Sequence, residues 1–457
     1  MKEHIIIVGA GLVGSLWAVL LAKRGYKVNV YELRDDPRAA GFLGGRSINL
    51  AMSDRGWRAM EKAGIKDKIR KVAIPMYGRR MHDEEGQLTF QPYGEEGQAI
   101  YSVSRGGLNI ELINIADAHE NVQFHFGYRC LEVDLDTNTI YFERHTDGKR
   151  LELRPDLIFG TDGAFSAVRR SLMMNTRNFN YSQSFLNYGY KEVNIPPLKD
   201  GTHAIDKNAL HIWPRGRFMM IALPNVDGSF TGTLFLPYEG GEEAFENLQT
   251  DEQVMGFFRK YFADSIPVIP DLLEEFRNNP TASLVTIRCN PWHHQDKVLI
   301  MGDASHAIVP FYGQGMNSGF EDCTILDEMV EAFDGDWSKI IPAFSKSRPA
   351  DADAIADLAL RNFVEMRDKV ADPKFLLRKE IAAHLHKKYP EDFLPLYSQV
   401  TFSHIPYSRA LQEGVRQDQL FEQIFSIEGV EHNWQDNPQI DRAFRQWKSD
   451  AHIAVSG

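Results

Sequence analysis

Three glycines near the N-terminus, Gly9, Gly11 and Gly14, follow the pattern Gly-x-Gly-x-x-Gly. The β-rich run Ile5–Val8 precedes them and good helix formers follow, which predicts a strand, a tight turn and a helix. In this arrangement the first glycine allows the turn, the second lets the backbone approach a pyrophosphate, and the third lets the helix pack on the strand. The helix N-terminus would then present free N–H groups and a positive dipole end to the phosphates.

An acidic residue stands where a ribose would be bound. A second β-rich run, Lys27–Tyr31, ends in Glu32, eighteen residues beyond Gly14. A carboxylate at about this distance accepts hydrogen bonds from ribose hydroxyls, so the segment predicts dinucleotide binding. The uncharged run Ile5–Ala22 has the length of a membrane span or the position of a signal peptide. Its glycine pattern instead favours a buried, soluble strand and helix.

Two later segments repeat the order of strand and glycine turn. In the first, Leu157–Phe159 precede Gly160–Gly163, and a helix is predicted from about Ser166. In the second, an apolar strand ends at Gly302-Asp303, and the glycine-containing loop Pro310–Asn317 leads into another helix. The N-terminus of such a helix stabilises negative charge.

Composition excludes several classes of protein. The chain has 457 residues, 43% of them hydrophobic, and a net charge of −12, which disfavours nucleic acid or an anionic membrane surface as partner. Cys130, Cys289 and Cys323 are far apart in the sequence, so we expect neither disulfides nor a zinc site. This cysteine usage favours a protein of a reducing compartment. The adjacent His293 and His294 have no Cys or carboxylate partner nearby and are expected in a surface loop, with no metal bound.

Together, the three glycine segments resemble the fingerprints of the single-component FAD-dependent aromatic hydroxylases. The match runs in order through most of the first 320 residues. It implies tightly bound FAD, which NADPH or NADH reduces and which adds O2 to give a C4a-hydroperoxide that hydroxylates an electron-rich ring. No catalytic side chain is then required. Because a single Gly-x-Gly-x-x-Gly occurs, the nicotinamide donor, taken as NADPH with NADH left open, would bind transiently.

The resemblance also implies the fold class: α/β, with a Rossmann-like FAD-binding domain, an interleaved β-sheet substrate domain and a helical C-terminal region, as in p-hydroxybenzoate hydroxylase. The FAD-binding domain would comprise 1–180 and 288–335, including part of the substrate-side strands near 76–103. The β-rich substrate domain would be 181–287, and 336–457 would be helical and close the active site.

In the resembled family, Asp303 would hold a ribityl hydroxyl, and the amides of the loop before the last helix would face the flavin. Arg105 would pair with the FAD diphosphate or ribityl chain, although a solvated arginine at a helix start is the alternative. The residues expected to contact FAD are Gly9, Gly11, Leu12, Gly14, Glu32, Arg34, Arg46, Ser47, Leu50, Arg105, Asp162, Gly163, Asp303, Pro310, Gly313, Gly315, Met316 and Asn317.

Stretches outside the FAD fingerprints, such as GYKE, NFVEM and LPLYSQVTFS, most closely resemble the family members that convert L-kynurenine to 3-hydroxykynurenine. A carboxylate suits a planar arginine and phenol donors, and an amide oxygen suits an ammonium group. By this resemblance the amino-acid end of L-kynurenine would meet Arg79, Tyr93, Asn362 and Tyr397. Its ring would meet Met219, Ile221, Leu223, Phe235, Phe311 and Tyr312.

Some alternatives stay open. Each of these polar residues, taken alone, is compatible with a solvated strand, turn or helix position, and Tyr312 stands where bacterial members are expected to carry histidine. A hydroxylase of hydroxybenzoate or phenol, or an isoprenoid reductase, would keep the FAD motifs. The polar C-terminal stretch predicts no membrane anchor and a soluble, cytoplasmic protein, either monomer or homodimer.

Overall fold

The computed structural model describes residues 3–39, 49–369 and 372–455. Its strands are β1 (His4–Val8), β2 (Lys27–Glu32), β3 (Asn49–Met52), β4 (Ile74–Met76), β5 (Gly78–His82), β6 (Leu88–Pro92), β7 (Ile100–Ser104), β8 (Val122–Phe126), β9 (Tyr128–Asp134), β10 (Thr139–Arg144), β11 (Arg150–Leu153), β12 (Leu157–Gly160), β13 (Asn180–Ile195), β14 (Ala209–Arg215), β15 (Phe218–Pro224), β16 (Phe230–Pro237), β17 (Ala282–Asn290), β18 (His293–His294) and β19 (Val298–Ile300).

The helices are α1 (Leu12–Lys23), α2 (Asp54–Ala63), α3 (Lys66–Arg70), α4 (Arg105–Asp117), α5 (Ala167–Asn175), α6 (Asp251–Tyr261), α7 (Leu272–Asn278), α8 (Asp303–His306), α9 (Gly315–Ala332), α10 (Trp337–Ser347), α11 (Pro349–Val364), α12 (Pro373–Lys388), α13 (Leu396–Thr401), α14 (Tyr407–Phe425), α15 (Val430–Asn433) and α16 (Pro438–Val455). A π-helical turn covers Glu365–Lys369, and a 3-10 turn covers Pro310–Tyr312. None of the described helices combines the length and the apolar content needed to cross a bilayer.

A mostly parallel sheet has the strand order β18-β19-β12-β1-β2-β8. Its central strand β1 is apolar and buried on both faces, as parallel sheets covered by helices require. Because β1, β12 and β19 are parallel neighbours, the turns at their carboxyl ends meet at one edge of the sheet. The turns at Gly9, Gly160 and Gly302, far apart in the sequence, therefore lie side by side.

A larger, mostly antiparallel sheet has the order β17-β13-β16-β15-β14-β5-β6. One face carries Trp213, Met220 and Leu234, which pack against phenylalanines of α6 and α7. The other face carries Met219 and Phe235, which pack against the Pro310–Tyr312 turn and α11. Because residues alternate along β15 and β16, one face of this sheet is covered by α6 and α7. The other face packs against the Pro310–Tyr312 turn and α11.

One sequence-based expectation is extended and another is wrong. The segment between Tyr181 and Ile287 contains the strands β13 to β17, as expected, and also the helices α6 and α7. His293 and His294 do not lie in a surface loop: they form β18, pair with β19 and are half-buried. The division of the chain into three domains stays a prediction.

Candidate active site

A cavity of about 750 Å³ extends from the glycine turns of the parallel sheet to the inner face of the antiparallel sheet. Most of the residues expected at the site line it: Gly9, Gly11, Leu12, Glu32, Arg34, Leu50, Arg79, Tyr93, Arg105, Asp162, Gly163, Met219, Ile221, Leu223, Phe235, Asp303, Pro310, Phe311, Tyr312, Gly313, Gly315, Met316 and Tyr397. Gly14, Asn317 and Asn362 do not line it, and Arg46 and Ser47 lie outside the described residues.

The three glycines of the first turn differ in what a side chain would meet. A Cβ atom at Gly14 would lie 2.0 Å from the carbonyl oxygen of Gly9, and one at Gly9, whose φ is +99°, would lie 2.6 Å from the carbonyl oxygen of Thr161. At Gly11, by contrast, no described atom lies within 4 Å of the Cβ position. The protein itself therefore requires Gly9 and Gly14, whereas Gly11 borders open space at the N-terminus of α1. This fits a phosphate group at Gly11.

Glu32 is held in place by the turn. Its Oε2 accepts a hydrogen bond from the Ala10 N–H at 2.8 Å, and its Oε1 accepts from the Arg34 N–H and Nε at 3.0 and 2.8 Å. Burial opposes ionisation, but the hydrogen bonds from Arg34 outweigh it and lower the pKa of Glu32. An ionised carboxylate with lone pairs to spare is what ribose hydroxyls require.

The two aspartates of the later turns are in different situations. Asp162 accepts hydrogen bonds from Ser166 Oγ at 2.5 Å and from the Ala167 N–H at 2.6 Å, so its side chain shapes the start of α5. Burial raises its pKa. Asp303 is exposed to the cavity at the start of α8. Of the two, Asp303 has the side chain available to a ligand hydroxyl.

The loop before α9 is held in place by the side chain of Asn317, which lies in the first turn of that helix. Asn317 Nδ2 donates to the carbonyl oxygens of Gly313 and Ala51, both at 2.8 Å, and its Oδ1 accepts from the Ser53 N–H at 2.9 Å. Asn317 therefore stabilises the loop with its side chain. The first N–H groups of α9, which begins at Gly315, have no partner within the helix. They stabilise negative charge at this end of the cavity.

At the other end of the cavity, three tyrosine rings surround the buried Arg79. The Arg79 guanidinium carbon lies 5.5 Å from the ring centre of Tyr93 and 5.2 Å from that of Tyr397. Tyr397 stacks between Tyr93 and Tyr312, with centroid distances of 5.3 and 5.6 Å. Arg79 Nε and the Tyr93 hydroxyl are buried and meet no partner in hydrogen-bonding geometry among the described residues. Because buried polar groups are normally paired, these two groups fit an anion or another acceptor supplied by a ligand.

The predicted apolar wall is present. Met219, Ile221 and Leu223 lie on alternate positions of β15, and Phe235 pairs with Met219 across β15 and β16. The ring of Phe235 lies 4.9 Å from that of Phe311, measured between centroids. These side chains give the part of the cavity next to Arg79 a flat aromatic and aliphatic surface.

Asn362 contacts the loop that contains Phe311. It is buried, and its Nδ2 donates to the Phe311 carbonyl oxygen at 2.7 Å and approaches Met366 Sδ at 3.3 Å. Its expected contact with a substrate ammonium group stays a prediction. Burial raises the pKa of Tyr312 well above its ordinary value, so this phenol is neutral and adds no titrating group near pH 7.

Three further residues at or around the cavity could not be predicted from the sequence. Met366, on the π-helical turn, lines the cavity. Tyr407 donates a hydrogen bond to Gln314 Oε1 at 3.0 Å. Lys379 donates to Gln91 Oε1 at 3.1 Å. No local pattern marks these residues, because each meets its partner only through packing of the C-terminal helices.

Comparison with known proteins agrees with this geometry. Residues 2–336 match the family model described as FAD binding domain. A kynurenine 3-monooxygenase of Flavobacterium johnsoniae is 50% identical over 437 residues, covering 96% of this chain and 97% of that protein. A second, of Flavobacterium psychrophilum, is 50% identical over 434 residues, covering 95% and 96%. The solved structure of 2-methyl-3-hydroxypyridine-5-carboxylic acid oxygenase superposes with a TM-score of 0.66 at 18% identity, covering 81% of this chain and 94% of that one. This last likeness shows the fold.

Proposed function

The chain belongs to the kynurenine 3-monooxygenase family of FAD-binding proteins, and from this premise we propose that it hydroxylates L-kynurenine at ring position 3. The observation that carries the proposal is the buried Arg79 beside Tyr93, since the Arg79 Nε and the Tyr93 hydroxyl have no hydrogen-bond partner in the part of the chain that the structure describes. Both lie at the end of the cavity that begins at the FAD-type glycine turn. An aromatic amino acid would bring a carboxylate to these two donors.

The residues at the glycine turns fit FAD. The open position at Gly11 would admit the pyrophosphate, Glu32 would accept ribose hydroxyls, and Asp303 would accept a ribityl hydroxyl. When bound, FAD would supply the redox chemistry by accepting a hydride from NADPH and activating O2 for transfer of one oxygen atom to the ring. The N-terminus of α9 would favour negative charge on the reduced cofactor.

The chain's own contribution is to hold the substrate and exclude water. Arg79 would bind the carboxylate through two parallel N–H donors, a geometry that suits guanidinium and carboxylate groups. The wall of Met219, Ile221 and Phe235 would place the aniline ring against the flavin. Because these apolar side chains line the reaction space, they would keep water from the activated oxygen.

The direct test combines the FAD-loaded protein, NADPH, O2 and L-kynurenine, with mass spectrometry of the products. We expect a product one oxygen atom heavier than L-kynurenine. The same assay with 4-hydroxybenzoate serves as control. A hydroxylated product from 4-hydroxybenzoate and none from L-kynurenine would assign the chain to another aromatic hydroxylase, and no oxygenated product from either would favour a reductase.

The proposal also predicts that substrate controls reduction of the flavin. Reduced flavin consumes O2 without product when no ring is present, so we expect L-kynurenine to accelerate flavin reduction by NADPH well above the ligand-free rate. Anaerobic stopped-flow absorbance measures both rates, and NADH in place of NADPH tests the choice of donor. Equal rates with and without L-kynurenine would contradict this expectation.

A further inference from the structure

Charged groups from β5, α11, α12 and α14 meet behind the substrate end of the cavity. Arg361 pairs with Glu365 at 3.1 Å and with Asp418 at 2.8 Å. Arg378 pairs with the same Asp418 at 2.6 Å. The two carboxylates of this group are therefore already neutralised by two arginines.

Two further cations, Arg79 and Lys379, lie at this place. In the described part of the chain, no carboxylate oxygen lies within 4.0 Å of a side-chain nitrogen of Arg79 or Lys379, so neither forms an ion pair there. The Lys379 ammonium instead donates to Gln91 Oε1 at 3.1 Å. Gln91 lies directly opposite Arg79 in the β5–β6 pairing, and opposite residues of an antiparallel pair share one face. Lys379 thus lies on the same face of these two strands as Arg79.

Like charges so placed repel unless an anion joins them. Lys379 donates to a neutral amide and lies over the Phe375 ring at 5.0 Å, contacts that bring no negative charge, and no acid of the described residues pairs with Arg79. We propose that Lys379 is a second cationic group of the substrate-carboxylate site, which holds the anionic end of the substrate jointly with Arg79. This inference rests on the proposed function, because L-kynurenine supplies the carboxylate.

The surroundings of Lys379 place its pKa in a range where its charge can be changed by pH. Burial and then the positive charge of Arg79 lower the pKa of Lys379 to about 7, while Glu365 on the π-helical turn acts in the opposite direction. The facing group on β6, Gln91, is neutral. The phenols of Tyr93 and Tyr397 are neutral as well, because burial raises their pKa values.

The direction of the pH effect follows from linkage. A carboxylate binds the ammonium form of Lys379, so binding raises the pKa of Lys379 and affinity falls as pH rises through about 7. Between pH 6 and pH 8 the neutral fraction of a group with this pKa grows from about one tenth to about nine tenths. The dissociation constant of L-kynurenine should therefore rise by up to about tenfold over this range.

The experiment measures binding of L-kynurenine to the FAD-loaded protein through the flavin absorbance change at pH 6, 7 and 8. It compares wild type with Lys379→Met, which removes the charge, and Lys379→Arg, which keeps it at every pH used. Lys387→Met is the matched control, because Lys387 lies on the same helix α12 and is exposed.

We expect Lys379→Met to bind at all three pH values about as weakly as wild type does at pH 8. Lys379→Arg should bind at pH 8 nearly as well as at pH 6, and Lys387→Met should follow wild type. A pH dependence that survives in both Lys379 variants would overturn the inference and leave the proposed function standing. The same holds if Lys379→Met lowers the melting temperature but not the affinity. If wild-type holoenzyme does not bind L-kynurenine at any pH, the proposed function and this inference both fail.

Discussion

The two ends of the cavity differ in how their polar groups are satisfied. At the nucleotide end, Glu32 accepts three hydrogen bonds from Ala10 and Arg34, and Asp162 is bound to the start of α5. At the substrate end, Arg79 Nε and the Tyr93 hydroxyl are buried without partners among the described residues, and Lys379 contacts an amide oxygen and the Phe375 ring but no described carboxylate. The acidic side chains Glu32 and Asp162 at the nucleotide end are thus paired within the protein, whereas the buried donors at the substrate end are not paired within the described residues.

This difference predicts how substitutions will act. Where the protein satisfies its own polar groups, a change should disturb folding or the shape offered to the cofactor. Where polar groups are left unpaired, the folded state already carries their desolvation cost, which a ligand would relieve. Changes at the substrate end should therefore alter binding with little effect on the free energy of unfolding.

The largest effect is expected for Gly14→Ala. The new methyl group would lie 2.0 Å from the Gly9 carbonyl oxygen and 2.5 Å from Thr161 Oγ1, and the first of these is a backbone atom of the turn itself. Relief requires α1 to move off β1, at a cost of about 3 kcal/mol or more. Urea unfolding of the FAD-free proteins measures it. A free energy of unfolding equal to that of wild type would mean that the turn yields more easily than its geometry indicates.

The next largest effect is expected for Gly11→Ala, which adds the same methyl group three residues before the crowded position. Its φ of −72° suits alanine, and no described atom lies within 4 Å of the new methyl group. The FAD-free protein should unfold like wild type, but the methyl group would occupy the space expected for the pyrophosphate. The purified protein should be largely colourless, as measured by the ratio of flavin to protein absorbance. Full flavin content would place the dinucleotide elsewhere.

The glycine turns could be predicted from sequence because strand, turn and helix are contiguous there. Leu157–Phe159, for example, was expected as a strand and lies within β12. The contact of Asn362 with the Phe311 carbonyl oxygen could not be predicted from sequence, since it joins residues 51 positions apart. Helical periodicity predicts α11 but not the loop on which it packs.

Helix α6 is a different case, because the sequence carries a usable signal for it. Thr250 and Gln253 stand three residues apart and form a capping box at its start. The apolar strands on both sides of α6 are the stronger pattern, and they predict a mostly β segment. Local signals thus define elements, while the substrate end depends on contacts between distant elements.

A smaller effect is expected for Arg79→Lys, which keeps the charge but removes the planar pair of donors. Loss of a charge-assisted hydrogen bond should cost about 1.5 to 3 kcal/mol, or roughly a ten- to hundredfold rise in the dissociation constant of L-kynurenine. Flavin content and melting temperature should barely change. The control ligand is decarboxylated kynurenine, which should bind both proteins about equally. If the variant still discriminates between the two ligands as wild type does, Arg79 does not bind the carboxylate.

The smallest effect, and the sharpest test of the comparison, is expected for Tyr93→Phe set against Tyr407→Phe. Both remove one buried hydroxyl group. The Tyr407 hydroxyl donates to Gln314 Oε1 at 3.0 Å, whereas the Tyr93 hydroxyl has no partner among the described residues. Tyr407→Phe should therefore lower the free energy of unfolding by about 1 kcal/mol, because it removes the shorter of the two hydrogen bonds that Gln314 Oε1 accepts, the other coming from Ser53 Oγ at 3.4 Å.

Tyr93→Phe should leave the free energy of unfolding unchanged or slightly raised, because the ring can still stack on Tyr397 and a buried unpaired hydroxyl is removed. Its cost should appear only on binding, as a rise of about fivefold in the dissociation constant of L-kynurenine, equivalent to about 1 kcal/mol. Denaturant unfolding of the FAD-free proteins and flavin-absorbance titration of the holoenzymes separate the two quantities. If Tyr93→Phe destabilises the fold as much as Tyr407→Phe does, the Tyr93 hydroxyl is satisfied within the protein. This polar group at the substrate end would then be paired within the protein, as Glu32 and Asp162 are at the nucleotide end.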